Sequence, residues 1–364
     1  MSMARRNMWA GKARTAFSIA GVAAATILLS FVIALYRGWN GALVRYIDET
    51  PADTWVVGTG ADSFFTPSLI FSTTVFAVQQ VQSVEQVSPL IGRPMKLRSG
   101  GSSWDSYVLG FEPGGAGGPV AMRKGKAIPD TGEIVIDDVM ARLSGLDIGD
   151  EVRVGLRRLK VVGVSRGGNL VLAQISYVHI DEARLFAGDG VVNFILVRTT
   201  PGEAAAVGER INSTIAGVDA FDSTTFADNS REVLQRSILP ILLVIVVLAV
   251  IVGTIVVGLT VYTAVIEKER EFGIMKAVGV SPPGIFRVVF EQSLVCGALG
   301  FAGGLVASFV LAWLAELTLP QVVTLFRWQD IALVALAVAV MSLVAGAVPL
   351  QRLVHVDTLA VFKA

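Results

Sequence analysis

Charge disappears from this chain four times, each time for long enough to cross a bilayer. Thr15 to Tyr36, Ser237 to Ile266, Gln292 to Ala315 and Ile331 to Gln351 carry no Asp, Glu, Lys or Arg, and a helix needs about 20 apolar residues to span the hydrocarbon core. The pattern predicts spanning helices over 15–36, 237–266 (with a stalk), 284–315 and 330–351, a short loop over 316–329 and a tail over 352–364. Arg5, Arg6, Lys12 and Arg14 precede the first run, a basic flank that places residues 1–14 in the cytoplasm. Four crossings then return the tail to the same side, so both termini are expected to be cytoplasmic. The first run is longer than a signal-peptide core and no small-x-small site closes it, so it reads as an uncleaved anchor.

Between the first and second runs, residues 37–236 change character. The expected fold class is membrane α + β, with four transmembrane helices (1+3) and a large mixed α/β extracytoplasmic domain inserted between helices 1 and 2. Trp55–Gly58 and Val84–Ile91 read as strands flanking a helix from Thr66 to about Gln82. Val191–Thr199 reads as another strand. Thr200, Pro201 and Glu203 form a capping box for a helix to about Ile215, before a last strand at Val218–Asp222. Two β-α-β units separated by an insertion suggest a split, ferredoxin-like lobe over about 45–91 plus 191–230. The insertion, about 92–190, alternates at Glu133–Asp137, Glu151–Leu156, Leu159–Val164 and Leu170–Ile180 and reads as a β-rich lobe. The glycine cluster Gly110 to Gly118 reads as a flexible loop.

Composition sharpens this picture. Apolar residues make up 53% of the 364 and charged residues 16%, the balance of an integral membrane protein. Lys and Arg together number 30, as do Asp and Glu, so no basic excess points to nucleic acid. Cys296 is the one cysteine, which excludes an intrachain disulfide. No G-x-x-x-x-G-K-[ST] occurs, so this chain does not cradle nucleotide phosphates and is not expected to be an enzyme itself. His179 and His355 fall on opposite sides of the membrane by this topology, so they form no joint metal site. Asp137 with Asp138, and Asp150 with Glu151, read as strand-end and turn residues. The spanning runs lack the midplane charges that ion-coupled carriers keep, which disfavours a polar path through the bundle.

Two short stretches carry candidate contacts. Cys296, Gly300, Gly304 and Ser308 recur every fourth residue in the third run, a small-residue stripe that lets helix backbones approach. Gly300, Gly304 and Ser308 are therefore candidate helix-packing residues, against another helix of this chain or against a second copy. The second stretch, 267–283, opens with Glu267, Lys268, Glu269, Arg270 and Glu271. It turns apolar at Phe272, Met275 and Val278, an amphipathic stripe. Gly279 stops that helix, and Ser281 with Pro282 begins the next.

The dense run Glu269, Arg270, Glu271, Phe272, Gly273, Ile274, Lys276, Ala277, Val278, Gly279, with Glu291 beyond, resembles the signature of FtsX-like and MacB-like ABC transporter permeases, including DevC-like permease subunits. Gly149–Asp150 before a strand is a weaker likeness to the MacB-like periplasmic domain. Val348 to Leu353 resembles the closing P-x-x-R-L segment, although Asp357-Thr358 stands where the family has Asp-Pro. The resemblance implies that 267–283 is a cytoplasmic coupling helix. Its ATPase-coupling residues would be Glu269, Arg270, Glu271, Phe272, Gly273, Met275, Lys276, Ala277 and Gly279. It further implies a cytoplasmic ABC ATPase as partner, holding ATP and Mg, with no cofactor in this chain. The other expected partners are a second permease copy (homodimer or paralogue), a periplasmic adaptor or membrane-fusion protein, and membrane lipids. The expected location is the bacterial cytoplasmic (inner) membrane. Two functions follow from the resemblance: export of an amphiphilic substrate (peptide, lipid or siderophore), or an FtsX-like, non-transporting mechanotransmission that regulates an envelope enzyme.

Overall fold

The structure is a computed structural model that describes residues 12–171, 173–267 and 282–354. The chain divides into two compact units, one comprising Gly38–Leu239 with Thr318–Val323, the other comprising the remainder. Four long helices carry the apolar runs: α1 (Lys12–Glu49) at the start, and α6 (Ser223–Glu267), α7 (Pro282–Thr318) and α8 (Trp328–Val354) towards the end. All four are long and apolar enough to cross a membrane. Each exceeds its charge-free run. α1 and α6 overshoot most, because Gly38–Glu49 and Ser223–Leu239 continue the helices as more polar segments that belong to the Gly38–Leu239 unit.

Between α1 and α6 lie β1 (Thr54–Gly58), β2 (Ile70–Phe71), α2 (Thr74–Gln79), β3 (Val84–Ser99), β4 (Ser102–Phe111), β5 (Ala121–Gly125) and β6 (Glu133–Asp137). They are followed by α3 (Asp138–Ser144), β7 (Glu151–Val154), β8 (Arg157–Arg166), β9 (Gln174–His179), α4 (Ile180–Ala187), β10 (Val191–Val192), β11 (Phe194–Thr199), α5 (Ala204–Thr214) and β12 (Val218–Asp222). β12, β1, β11 and β3 lie side by side in that order, all antiparallel, so the β1-α2-β3 and β11-α5-β12 units interleave. β3 then leaves this sheet and continues as the first strand of the next. Its start pairs with β11 and its length from Leu90 to Ser99 pairs with β4. β7 bridges β3 and β8, and this closes β3, β4, β9, β6, β8 and β7 into a ring. The two expected lobes are therefore one continuous sheet.

The pleat explains how one sheet serves two cores. Successive side chains point to opposite faces: Val56, Ile195 and Val197 join the core under α2, α4 and α5, while Trp55, Val57, Phe194 and Leu196 join the core around α1 and α6. In the ring, Leu97, Val152, Val154, Leu159 and Val161 are buried and their neighbours Arg98, Arg153 and Arg158 are exposed.

Several local expectations are corrected. The helix expected from Thr66 is confined to Thr74–Gln79, because Ser68 is held by Gly58 N–H and Asn193 and Ile70–Phe71 pair with β10. The capping box fails: Gly202 adopts φ +87°, α5 starts only at Ala204, and the Glu203 carboxylate takes Arg210 instead of a backbone amide. The glycine cluster is packed, not loose. Gly110 sits in β4 where a Cβ would lie 2.1 Å from Ala183 Cβ, and Gly117 offers its carbonyl to Tyr46 Oη at 2.7 Å.

Candidate functional site

The nine expected coupling residues, Glu269, Arg270, Glu271, Phe272, Gly273, Met275, Lys276, Ala277 and Gly279, lie outside the described residues. What is described is their frame: α6 ends at Glu267 and α7 begins at Pro282. Early in α7, Arg287 and Glu291 form an exposed i, i+4 ion pair at 3.0 Å.

Small residues set the packing of the four spanning segments. A Cβ on Gly304 would meet Ala23 O at 2.6 Å and Ala23 Cα at 3.0 Å, and one on Gly300 would meet Val22 Cβ at 2.5 Å and Ile19 O at 2.9 Å. The stripe thus lies against α1 of the same chain, close enough that backbone meets backbone. Ser308 is fully buried. Gly253 of α6 approaches Met341 and Ala25, and Gly297 of α7 approaches Ser342. Without a hydrophobic driving force between helices in lipid, such close approach is what holds a bundle together. At one end Arg37 grips Asp330 through two bonds, Nε to Oδ2 at 3.1 Å and Nη2 to Oδ1 at 3.0 Å, while Ala34 O accepts Leu325 N–H. This fork ties the first spanning segment to the last.

Within the folded unit, the helix ends are clamped to the sheet by aromatic rings. Trp55 of β1 stacks on Phe226 of α6 with centroids 5.0 Å apart, and Phe64 stacks on Phe194 of β11 at 5.2 Å. Tyr46 of α1 lies against Trp55, Phe64 and Tyr177. Polar contacts fix the same ends: Ser230 Oγ accepts Phe64 N–H, Asp222 caps α6 through Thr225 N–H, and Arg231 pairs with Asp48 of α1 at 2.7 Å. Offset and edge contacts of this kind add to the area they bury. Neither this clamp nor the Arg37–Asp330 fork is visible in the sequence, since each joins residues far apart in the chain. The charges bordering the apolar runs are the only local signal.

Asp137, expected as a strand-end residue, caps α3 by accepting Val139 N–H and also accepts Gly168 N–H, both at 2.9 Å. It is fully buried. Burial pushes its carboxyl up to about 6, against the opposing pull of the two amides and of Arg142. Asn169, next along, donates to Gln321 O at 3.2 Å, so the α7–α8 connection at 318–323 is held by the folded unit. His179 caps α4 through Asp181 N–H, the ordinary polar role expected of it. Among the described residues no group of acidic, histidine and cysteine side chains could hold a metal ion.

Four spanning helices with a large α/β domain after the first define a multi-pass membrane protein with an inserted folded domain. The model of the MacB-like periplasmic core domain matches residues 15–214, and that of the FtsX-like permease C-terminal region matches residues 243–358. The chain belongs to this MacB/FtsX-type family of ABC transporter permeases. An uncharacterized ABC transporter permease of Mycobacterium bovis is 25% identical over 335 residues, covering 90% of this chain and 89% of the relative. A probable export ATP-binding/permease protein of Pseudomonas fluorescens is 23% identical over 371 residues, covering 94% of this chain and 57% of that protein. Among solved structures, the periplasmic region of MacB from Actinobacillus actinomycetemcomitans aligns with 49% of this chain and 92% of its own at 14% identity and a TM-score of 0.38.

Proposed function

We propose that this permease works as a mechanical transmitter: a separate cytoplasmic ATPase, holding ATP and Mg, docks on 267–283, and α1 and α6 carry its motion to the folded domain. The observation that carries the reading is the aromatic and ionic clamp around Trp55, Phe226, Tyr46 and Arg231–Asp48, which packs the ends of α1 and α6 against the sheet. The Pseudomonas fluorescens relative is described as an ATP-binding/permease protein in one chain, which favours an ATPase as the partner here. The basic flank before α1 supports cytoplasmic termini and an external folded domain, with the bacterial inner membrane as the location. A second permease copy completes the assembly. Since α1 of the same chain covers Gly300 and Gly304, that copy meets another face.

The work done is export of an amphiphilic peptide, lipid or siderophore from the outer leaflet or surface, with an adaptor or membrane-fusion protein beyond. The spanning segments carry no midplane charges for a polar path, which suits transmission better than a channel. A regulator of an envelope enzyme, moved by the same device, is the second reading, favoured by the same absence. Gly273→Pro would break the helix expected over 267–283. Co-purification of the ATPase with the variant should be lost, and a variant that still retains and couples the ATPase would refute docking at this stretch.

A further inference from the structure

The exposed face of the six-strand ring carries a row of like charges. Arg98 of β3 stands opposite Arg153 of β7, and Arg153 stands opposite Arg158 of β8. Three arginines therefore occupy facing register positions on three adjacent strands, whose backbones lie about 4.8 Å apart from one to the next. Like charges directly opposite on a sheet destabilise it, so the row works against the fold that displays it. Two neighbouring cations are matched: Arg157 holds the buried Glu182 at 2.8 Å, and Lys96 holds Asp105 at 2.8 Å. Arg98 and Arg153 have no ion-pair partner among the described residues, and Arg158 reaches only Glu151, at 3.9 Å. The row lines an open groove of about 620 Å³ whose other wall is the β3–β4 turn, where Ser99, Ser102 and Ser103 add hydroxyls around Gly100 and Gly101.

We propose that this groove is a binding site for an anionic ligand bearing two or more phosphate groups. The chemistry favours phosphate: a guanidinium fork meets its oxygens two at a time, the three arginines span a width that one phosphate does not fill, and the hydroxyls of Ser102 and Ser103 supply further donors, that of Ser99 being given to Glu151 O. Three arginines against one glutamate leave the groove positive. A polyphosphate in solution and the headgroup of a diphosphate lipid present the same groups, and the site selects that shared feature. The inference stands on the folded unit alone and does not depend on ATPase docking or on the direction of transport.

The test uses the full chain in phosphatidylcholine nanodiscs. Inorganic pyrophosphate is titrated by calorimetry in one arm, and association with cardiolipin-containing phosphatidylcholine vesicles is measured by flotation in the other. Arg98→Ser/Arg153→Ser should weaken binding about tenfold or more in at least one arm, the size of a lost charge-assisted pair. Arg198→Ser, which removes an exposed charge elsewhere on the sheet, should leave binding unchanged. Loss with pyrophosphate assigns a soluble ligand, and loss with cardiolipin alone assigns a lipid. The double variant should melt at or above the wild type without ligand, since repulsion is relieved. With pyrophosphate, only the wild type should melt higher in the soluble case. Equal binding by wild type and double variant in both arms, an equal loss in Arg198→Ser, or retention of an acidic peptide with neither phosphate probe bound would overturn the proposal.

Discussion

At the scale of single residues, Asp137 shows burial and hydrogen bonding pulling in opposite directions, with burial ahead. Its carboxyl is neutral in the folded protein up to about pH 6, whereas in the unfolded chain it ionises near its ordinary value of 3.8. Folding therefore carries no penalty from this group below the unfolded value. The penalty grows as pH rises between the two values and is complete above about 6. Asp137→Asn keeps an oxygen for the Val139 amide, because Asn also caps helices well, and it never ionises. Relative to this variant, the wild type should lose roughly 2 to 3 kcal/mol between pH 4 and pH 7, measured as thermal or denaturant stability across that range. A constant difference between the two proteins would show that the carboxylate is charged throughout. Sequence marks Asp137 as a strand-end residue but not as buried, because Gly168, its second donor, arrives from a loop 31 residues away.

At the scale of elements, the glycines of α7 divide by what faces them. Gly303 has open space where a Cβ would stand, while Gly304 has the backbone of α1 at 2.6 Å. Gly303→Ala should be neutral or stabilising by up to about 1 kcal/mol, through reduced backbone freedom. Gly304→Ala should cost about 1 to 3 kcal/mol, because a helix backbone cannot yield as a flexible side chain does. Melting of the two purified variants in one detergent separates them, and a reversed order would mean that α1 does not pack on this stripe. The fourfold spacing of Gly300, Gly304 and Ser308 is plain in the sequence, but which helix fills the stripe is not. The Arg37–Asp330 fork joins α1 to α8 across 293 residues and is hidden for the same reason. A double-mutant cycle with Arg37→Ala and Asp330→Ala should give a coupling of about 1 to 2 kcal/mol, and additive single effects would mean that the pair is idle.

The β elements are legible where a short β-branched or aromatic run stands between turn residues, as at Trp55–Gly58, Glu133–Asp137 and Val218–Asp222. β4 opens with Ser102 and Ser103 and ends beside the glycine cluster, so its apolar half, Tyr107 to Phe111, looks in sequence like the approach to a loop. Closure of the ring rests on β7 pairing with β3 at Leu97 and Arg98, a contact that no local pattern encodes.

At the scale of the whole molecule, the four spanning helices and the inserted domain follow from hydropathy, because a charge-free stretch of about 20 residues matches the thickness of the hydrocarbon core. The continuity of α1 and α6 beyond their apolar runs does not, since Ser223–Arg236 looks like any polar helix. Transmission depends on that continuity. A helix turns about 100° per residue; Pro240 already removes one backbone bond of α6 just past Leu239, and two glycines inserted there add backbone freedom at about 1 kcal/mol each and turn the following segment by about 200°. Inserting Gly-Gly after Leu239, where the two units meet in sequence, should leave membrane insertion and ATPase co-purification intact while abolishing the work that hydrolysis drives. The same insertion in the 319–327 connection should be tolerated, because that segment is an irregular link held by a few separate contacts, Asn169–Gln321, Glu316–Thr324, Leu325 N–H to Ala34 O and Phe309–Phe326, and not by a continuous helix. The two insertions are compared by ATPase stimulation against substrate export, or against activation of the envelope enzyme if that is the output. Export or activation that survives the α6 insertion with unchanged stimulation would mean that the push reaches the domain by another route.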